Sequence, residues 1–328
     1  MSDTKYDVLG IGNAIVDVLA KTDDAFLAKH NLPKGGMILI DTDQANTLYG
    51  EMGPAQETSG GSAANTIAGL AALGGSTAYV GKVADDELGE IFAHDIMAQG
   101  VNFETPRCKS GTPTARCFVL VTPDAERTMN TYLGACVELG PDDIMEDQIS
   151  SAKVVYLEGY LWDPPQAKEA FLKAMKIAHG AGRKVALSLS DSFCVGRYRE
   201  EFLDLVENHV DILFANEDEI KALYETDDFN TAMNNVRTSV DVAALTRGAE
   251  GATIVNGLSE VHVKADAVEL EDTTGAGDLY AAGFLYGYTR GMDMEKCGQI
   301  AAMCAAEIIS HVGARPEADL KKLLDARF

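Results

Sequence analysis

The chain has 328 residues, a formal net charge of −24 and a hydrophobic fraction of 46%. This length can bury a large core, and the composition is ordinary for a globular protein. Such an acidic chain argues against broad binding to nucleic acid or to anionic membranes, because both require a basic face.

Neither the cysteines nor the N-terminus indicates a special class of protein. The six cysteines contain no C-x-x-C pair, so we expect neither a zinc site nor a disulfide framework. The first residues lack a basic and then apolar signal pattern, and no apolar run is long enough to span a bilayer. We therefore expect a cytoplasmic protein with no membrane partner and no nucleic-acid partner.

Apolar runs that predict strands alternate with segments that predict helices over most of the chain. We predict strands at 6–12, 77–83, 101–104, 154–157, 184–189, 211–214 and 242–245, a hairpin at 253–256 and 261–264, and helices at 62–73, 86–99, 165–179, 199–208 and, last, 295–310. This alternation implies an α/β fold with a doubly wound, mostly parallel sheet and helices on both faces. Such sheets bind ligands at the carboxyl ends of their strands.

Four segments interrupt this alternation. Those near 113–121 and 126–133 predict two strands joined by a turn at 122–125. Together with segments near 14–22 and 36–41 they could form a small second sheet; the alternative is an ordinary hairpin. Residues 53–61 are predicted as a turn-rich loop. Asp41 and Gln44 predict a capping box that starts a short helix.

Residues 271–278, Glu-Asp-Thr-Thr-Gly-Ala-Gly-Asp, predict a loop that ends in the first turn of a partly buried helix. Unpaired N–H groups at a helix start suit an anion, and Gly275, Ala276 and Gly277 would form that anion hole. Asp278 would repel the same anion. We therefore predict that it accepts the proton of a hydroxyl that attacks phosphorus. An ordinary capping Asp would explain a lone G-x-G-D, but the longer string is more specific.

Other polar residues allow two interpretations each. Asn13 and Asp17, four apart in an apolar segment, indicate either a buried pair with partners or a capped turn before an exposed strand. Asn65, in the first turn of a predicted helix, faces either the preceding loop or solvent. Thr246 and Gly248 follow a predicted strand and indicate either nucleotide contacts or a glycine-rich turn.

The string at 272–278 resembles the signature of the ribokinase-like (PfkB) family of carbohydrate and nucleoside kinases. Residues 59–66, Ser-Gly-Gly-Ser-Ala-Ala-Asn-Thr, resemble a second motif of that family. The resemblance covers essentially the whole chain, and implies a single kinase domain at 1–328 whose small sheet is a lid over the sugar site. Gly12-Asn13-x-x-x-Asp17 resembles the adenosine-kinase branch, in which the Asp binds ribose hydroxyls.

The resemblance also implies roles for the remaining candidates. Asn216 and Glu219 match its N-x-x-E motif, which implies magnesium held through water beside the ATP phosphates. Asp272 and Thr274 would direct backbone carbonyls at a monovalent cation such as K⁺. The implied sugar contacts are Asn13, Asp17, Gly60, Gly61 and Asn65, and the implied nucleotide contacts are Asn216, Thr246 and Gly248. Many relatives show Ala-Asn-Ala-Ala where this chain has Ala301-Ala302-Met303-Cys304, so we expect no adenine contact from an asparagine there.

The expected substrate is a small molecule, and we favour a nucleoside, adenosine first, over a free sugar. Met37 and Leu39 alternate on one predicted strand and, with Ile15, would offer a purine an apolar surface. The alternative is that these residues only pack the lid on the domain. A ribokinase- or fructokinase-type sugar kinase and a non-catalytic sensor are the other functions considered. We expect a monomer or a homodimer.

Overall fold

The computed structural model describes residues 4–124 and 126–328. The strands are β1 Tyr6–Ile11, β2 Ile15–Lys21, β3 Met37–Leu39, β4 Ala55–Gly60, β5 Thr77–Val80, β6 Val101–Phe103, β7 Ala115–Val121, β8 Arg127–Tyr132, β9 Ala152–Glu158, β10 Lys184–Ser188, β11 Ile212–Asn216, β12 Val242–Thr246, β13 Ala252–Asn256 and β14 Ser259–Val263. The helices are α1 Asp24–Lys29, α2 Thr42–Glu51, α3 Ser62–Ala72, α4 Glu87–Ala98, α5 Glu146–Ser150, α6 Pro165–Gly180, α7 Ser192–Arg197, α8 Arg199–Asn208, α9 Glu217–Tyr224, α10 Phe229–Val236, α11 Ala276–Thr289, α12 Met294–Ile308 and α13 Leu320–Arg327.

The main sheet has nine strands in the order β14-β13-β12-β11-β10-β9-β1-β5-β6. Its pairs are parallel except β12 with β13 and β13 with β14. This arrangement confirms the predicted doubly wound, mostly parallel sheet. Strands β5 and β6 follow β1 on one side of the sheet, and strands β9 to β12 are added on its other side. The direction in which successive strands are added therefore reverses between β1 and β9. A ligand site is expected where neighbouring connections diverge in this way.

Both faces of the main sheet are buried under helices. Along β1, Val8 belongs to one core with residues of α3, α11 and α12. Its neighbour Leu9 points the other way, into a core with residues of α6 and α8. Strands buried on both faces need apolar residues at nearly every position, which explains the continuous apolar runs in the sequence. None of the helices over the described residues is long and apolar enough to cross a membrane.

The second sheet has five strands in the order β3-β8-β7-β2-β4, so the interpretation as a simple hairpin was wrong. The prediction of a loop at 53–61 was also wrong, because β4 pairs antiparallel along β2. Its sequence Ala-Gln-Glu-Thr-Ser-Gly is mostly polar because β4 is an edge strand with exposed residues at its start, so it lacks the apolar alternation that signals a strand. Ala125, in the predicted turn, lies outside the described residues.

Two predictions about helices had different outcomes. The capping box is present: Gln44 N donates to Asp41 Oδ1 at 2.8 Å, and Asp41 N donates to Gln44 Oε1 at 3.1 Å. The helix predicted at 295–310 is present as α12, Met294–Ile308, but it is not the last helix, because α13 follows it. This short helix buries Leu320 and Leu324 alone among its eight residues, which is too weak an apolar pattern to recognise from sequence.

Candidate active site

The start of α11 carries the phosphate-loop candidates. Gly275 precedes the helix with φ 78°, a left-handed conformation that favours glycine. Ala276 N donates to Thr273 O at 3.2 Å, so one of the three predicted anion-hole groups is already paired. The N–H groups of Gly275 and Gly277 make no hydrogen bond within the described part of the chain. The helix start therefore keeps donors free for an anion.

Asp278 lies in the first turn of α11 and is held by two side chains of α3. Ser62 Oγ donates to Asp278 Oδ1 at 2.6 Å, and Asn65 Nδ2 donates to Asp278 Oδ2 at 3.0 Å. Asn65 thus faces the site and not solvent. Burial raises the pKa of Asp278, while these two hydrogen bonds and the charge of Arg315 oppose the rise. The result is an oriented carboxylate whose proton affinity is above that of a surface aspartate.

Asp17 lies on β2 beside the end of β4. A Cβ on Gly60 would lie 2.2 Å from Asp17 Oδ2, so the close approach requires glycine. Asp17 accepts no hydrogen bond from any described residue, and the residue as a whole is partly buried. Burial, with repulsion from Asp278, raises the pKa of Asp17 to about 6, against the opposing charges of Arg315 and Arg127. An unpaired carboxylate in this position is available to a ligand.

Asn13 does not stand free in the cleft. Its backbone N and its Nδ2 both donate to Glu158 Oε1 at 2.7 Å, which is the buried-pair interpretation. Glu158 Oε2 accepts from Ala63 N at 2.6 Å. Gly61, with φ 95°, begins this turn, and a Cβ there would lie 2.2 Å from Asn13 O. Sequence reasoning missed Glu158; the available signal was one acidic residue at the end of an apolar strand.

Glu158 and Glu219 are both buried carboxylates with raised pKa values. Burial raises the pKa of each to about 7, against the hydrogen bonds that each accepts. Glu219 Oε1 accepts from Asn216 Nδ2 at 2.7 Å, and its Oε2 accepts from Asn216 N at 2.9 Å. Asn216 caps α9 in return, since its Oδ1 accepts from Glu219 N at 2.9 Å. Both oxygens of Glu219 therefore accept a hydrogen bond from Asn216, and a hydrated magnesium ion needs few direct protein ligands.

The nucleotide candidates lie apart from Asp278 along the same edge of the main sheet. Asn216 and Thr246 are partners in register at the carboxyl ends of β11 and β12. Gly248 has φ 54° and begins a short 3-10 turn after β12. Tyr160, after β9, lies within electrostatic reach of both Asp278 and Glu219. Burial raises the pKa of Tyr160, and the negative charges of Asp191, Asp278 and Glu219 add to the rise.

An arginine of the second sheet reaches the phosphate loop. Arg127 Nη1, on β8, pairs with Asp272 Oδ2 at 2.6 Å and donates to Thr274 Oγ1 at 3.1 Å. Its Nη2 is buried without a partner among the described residues. Asp272 also accepts from Gly313 N at 3.0 Å. Sequence reasoning missed Arg127, because nothing in the sequence indicates that a strand of one sheet touches a loop of the other.

The backbone carbonyls assigned to a cation are unpaired. Asp272 O and Thr274 O accept no hydrogen bond from residues 4–124 or 126–328. The side chain of Asp272 is fully engaged by Arg127, Thr274 and Gly313. Carbonyl oxygens suit a hard cation, so the free carbonyls of this loop fit a monovalent cation such as K⁺.

The inner face of the second sheet changes from polar to apolar across its strands. Residues paired in register project from the same face, and one such row runs Asp17, Cys117, Thr131, Leu39. The next row ends in Met37, and Ile15 projects from the same face beside Gly60. Met37 and Leu39 are 47% and 54% exposed. An open groove of about 340 Å³ lies beside Leu39, lined by Leu39, Ile40, Thr112, Thr131, Tyr132, Leu133, Gly134 and Val137.

This geometry has counterparts among known proteins. The family model for the pfkB family of carbohydrate kinases matches residues 32–320 of this sequence. The chain belongs to this family of carbohydrate kinases, and it is an ATP-dependent kinase.

Two solved structures are similar over nearly the whole chain. The adenosine kinase of Sinorhizobium meliloti is 54% identical with a TM-score of 0.92, over 99% of this chain and 100% of that one. A probable sugar kinase protein from Rhizobium etli is 52% identical with a TM-score of 0.92, over 98% of each chain. The adenosine kinase of Saccharomyces cerevisiae is 28% identical over 92% of this chain and 94% of the yeast enzyme. These likenesses confirm the ribokinase-like fold and the adenosine-kinase-like branch, and they set aside the non-catalytic sensor.

Proposed function

We propose that this kinase transfers the γ-phosphoryl group of ATP to a primary hydroxyl of a nucleoside, adenosine first, with Asp278 as general base. The observation that carries the proposal is the pair of carboxylates Asp17 and Asp278, of which Asp278 raises the pKa of Asp17, beside a helix start with free N–H donors. One carboxylate is held by protein donors and the other is open, so the two suit different tasks.

Asp278 would act on the hydroxyl that reacts. Ser62 and Asn65 fix its orientation, and it takes the hydroxyl proton as the substrate oxygen bonds to the γ-phosphorus. The bond from that phosphorus to the β,γ-bridging oxygen breaks, and ADP leaves. The N–H donors of Gly275 and Gly277, with the guanidinium of Arg127, would stabilise the charge on the transferred group.

Asp17 would hold the sugar. Its unpaired carboxylate can accept hydrogen bonds from two neighbouring hydroxyls, and Gly60 leaves the space for them. Fixing the sugar in this way would direct its primary hydroxyl at Asp278, which lowers the entropy cost of the reaction.

The choice of a nucleoside rests on the row of residues from Asp17 to Leu39. Three strand spacings, about 14 Å, separate a carboxylate from an exposed leucine on one face. A purine would remove apolar surface from water there, while a free sugar would gain little. The relative from Sinorhizobium meliloti is described as an adenosine kinase.

Magnesium and a monovalent cation fit the residues present. Asn216 and Glu219 would hold hydrated magnesium, and the carbonyls of Asp272 and Thr274 would hold K⁺. Bound magnesium would neutralise charge on the nucleotide phosphates. Within the described residues no group of three or more His, Cys, Asp or Glu is arranged to hold a metal.

A sugar kinase of the ribokinase or fructokinase type is the second candidate. The observation that favours it is that Asp17, Gly60 and Asp278 do not line the groove beside Leu39, so these three residues could hold a free sugar without using the groove. The relative from Rhizobium etli is described as a probable sugar kinase.

ADP release from ATP and magnesium across adenosine, other nucleosides, ribose, fructose and sugar phosphates tests the proposal. We expect kcat/KM for adenosine to exceed that for ribose and fructose. Leu39→Ser should lower the value for adenosine and leave ribose unchanged, with Leu258→Ser, at a 98% exposed site, as the control. Equal or better use of ribose or fructose would overturn the nucleoside assignment.

A further inference from the structure

Arg315 lies in the segment between α12 and α13. All three nitrogens of its guanidinium donate hydrogen bonds to Ser59 or Ala64, which flank the turn at 60–63. Its Nε and Nη2 donate to Ser59 O at 3.1 and 2.9 Å, and Nη2 also donates to Ser59 Oγ at 2.9 Å. Nη1 donates to Ala64 O at 2.8 Å. One guanidinium thus joins the end of β4 to the first turn of α3. The residues between these two acceptors include Gly60, Gly61 and Ser62.

The other end of this connection is Asp95 on α4. Ser59 N and Ser59 Oγ donate to Asp95 Oδ2 at 2.8 and 2.5 Å. Ser59 is 1% exposed, so these hydrogen bonds form away from water, where they are strongest. Arg315, Ser59 and Asp95 therefore connect the C-terminal segment, the edge of the second sheet and a helix of the main domain.

The same guanidinium lies within electrostatic reach of both carboxylates of the cleft. Its charge lowers the pKa of Asp17 and of Asp278, against the burial that raises both and against the repulsion of Asp17 by Asp278. Within the described residues, the charged and titratable groups that face these carboxylates are Arg315 from the C-terminal segment, Arg127 from β8, Cys117 from β7, Tyr156 and Glu158 from β9, and Tyr160 after β9. Arg127 acts on Asp17 in addition, and Arg315 is the cation that acts on both.

We propose that Arg315 is a positioning residue for phosphoryl transfer, which holds the 59–64 turn in place and allows Asp17 and Asp278 to be ionised side by side. This inference rests on the proposed roles of those two aspartates. Two consequences follow, and they separate charge from geometry. Loss of the positive charge should make both carboxylates harder to ionise. Loss of the planar guanidinium alone, with the charge kept, should misplace the 59–64 turn beside the site of the acceptor substrate.

The test compares Arg315→Gln, Arg315→Lys and the control Arg199→Gln in the steady-state kinetics of the full chain with adenosine, or with the best acceptor of the panel. Arg199 is a matched control because it also donates to a backbone carbonyl, Leu223 O, at 2.9 Å, and lies on α8. For Arg315→Gln we expect the acid limb of the plot of kcat against pH to shift to a pH about one unit higher. For Arg315→Lys we expect the limb to stay in place while KM for the acceptor rises about tenfold and KM for ATP stays unchanged.

Each outcome decides the matter. An unmoved acid limb in Arg315→Gln, or equal changes in both KM values in Arg315→Lys, would overturn the proposal. If Arg315→Gln does not fold, the split of KM values in Arg315→Lys decides alone. If Arg315→Lys also fails to fold, Arg315 serves folding and the proposal is overturned. A wild-type chain that phosphorylates no acceptor of the panel contradicts the proposed function itself, which is a different result from Arg315 variants that behave like the control.

Discussion

Asp17 and Asp278 are two aspartates in one cleft with different surroundings. Asp278 accepts from Ser62 and Asn65, whereas Asp17 accepts from no described residue. In the proposed mechanism the hydrogen bonds would orient Asp278 to accept one proton, and Asp17 would be open to substrate hydroxyls. The difference is set by tertiary contacts and not by the two residues themselves.

Asp17→Asn should weaken the binding of the acceptor substrate far more than the binding of ATP. Because a hydrogen bond to a charged group contributes roughly 1.5–3 kcal/mol, KM for the acceptor should rise about 10- to 150-fold. Initial-rate kinetics with each substrate varied in turn measures both KM values. Asp23→Asn is the control, since Asp23 is an exposed cap of α1 that Asn can replace. A comparable loss of ATP affinity would place Asp17 in the nucleotide site instead.

Single residues also mark where sequence reasoning ends. Asp278 could be predicted because its neighbours form a local motif that has a chemical meaning. Glu158, Arg127 and Arg315 could not, because each acts on residues more than 90 positions away. Ser62 lies within a recognised motif, but only the fold brings it to Asp278.

At the scale of elements, the strands of the main sheet could be predicted since they are apolar on both faces. β4 could not, because an edge strand with polar residues resembles a loop. Its end nevertheless supplies Ser59 and Gly60 to the cleft. A strand that the sequence did not reveal therefore lies beside Asp17 in the cleft.

Gly60→Ala tests the contact between β4 and β2. The new Cβ would lie 2.2 Å from Asp17 Oδ2, so Asp17 must move and KM for the acceptor should rise at least about tenfold. The fold should persist, as circular dichroism would show. Gly53→Ala, at a site with nothing within 4 Å of the new Cβ, is the control. Wild-type kinetics in Gly60→Ala would mean that the sugar is bound elsewhere.

At the scale of the whole molecule, buried carboxylates make stability depend on pH. Burial raises the pKa values of Glu158 and Glu219 to about 7. A carboxyl group that holds its proton more tightly when folded stabilises the fold below its unfolded pKa, and loses that contribution as the pH rises through its folded pKa. The net charge of −24 acts in the same direction, because self-repulsion grows as carboxyls ionise.

We therefore expect the free energy of unfolding to fall as the pH rises from about 4.5 to about 7. Glu158 alone should contribute about 3 kcal/mol to this fall. Urea denaturation across this range measures it, and Glu158→Gln should make the dependence less steep. Glu169→Gln, at an exposed position of α6, serves as the control. A stability that increases over this range would contradict the assignment of raised pKa values.

The central claim is that Asp278 takes the proton of the acceptor hydroxyl. The most direct measurement is ADP release by Asp278→Asn with saturating ATP, magnesium and adenosine, alongside the affinity for adenosine measured by calorimetry. Asn keeps the size of the side chain and removes its basicity. General-base catalysis typically contributes about 10²–10⁴-fold, so we predict that kcat falls by that factor while the affinity stays within about threefold. A fall in kcat of less than about tenfold would contradict the claim.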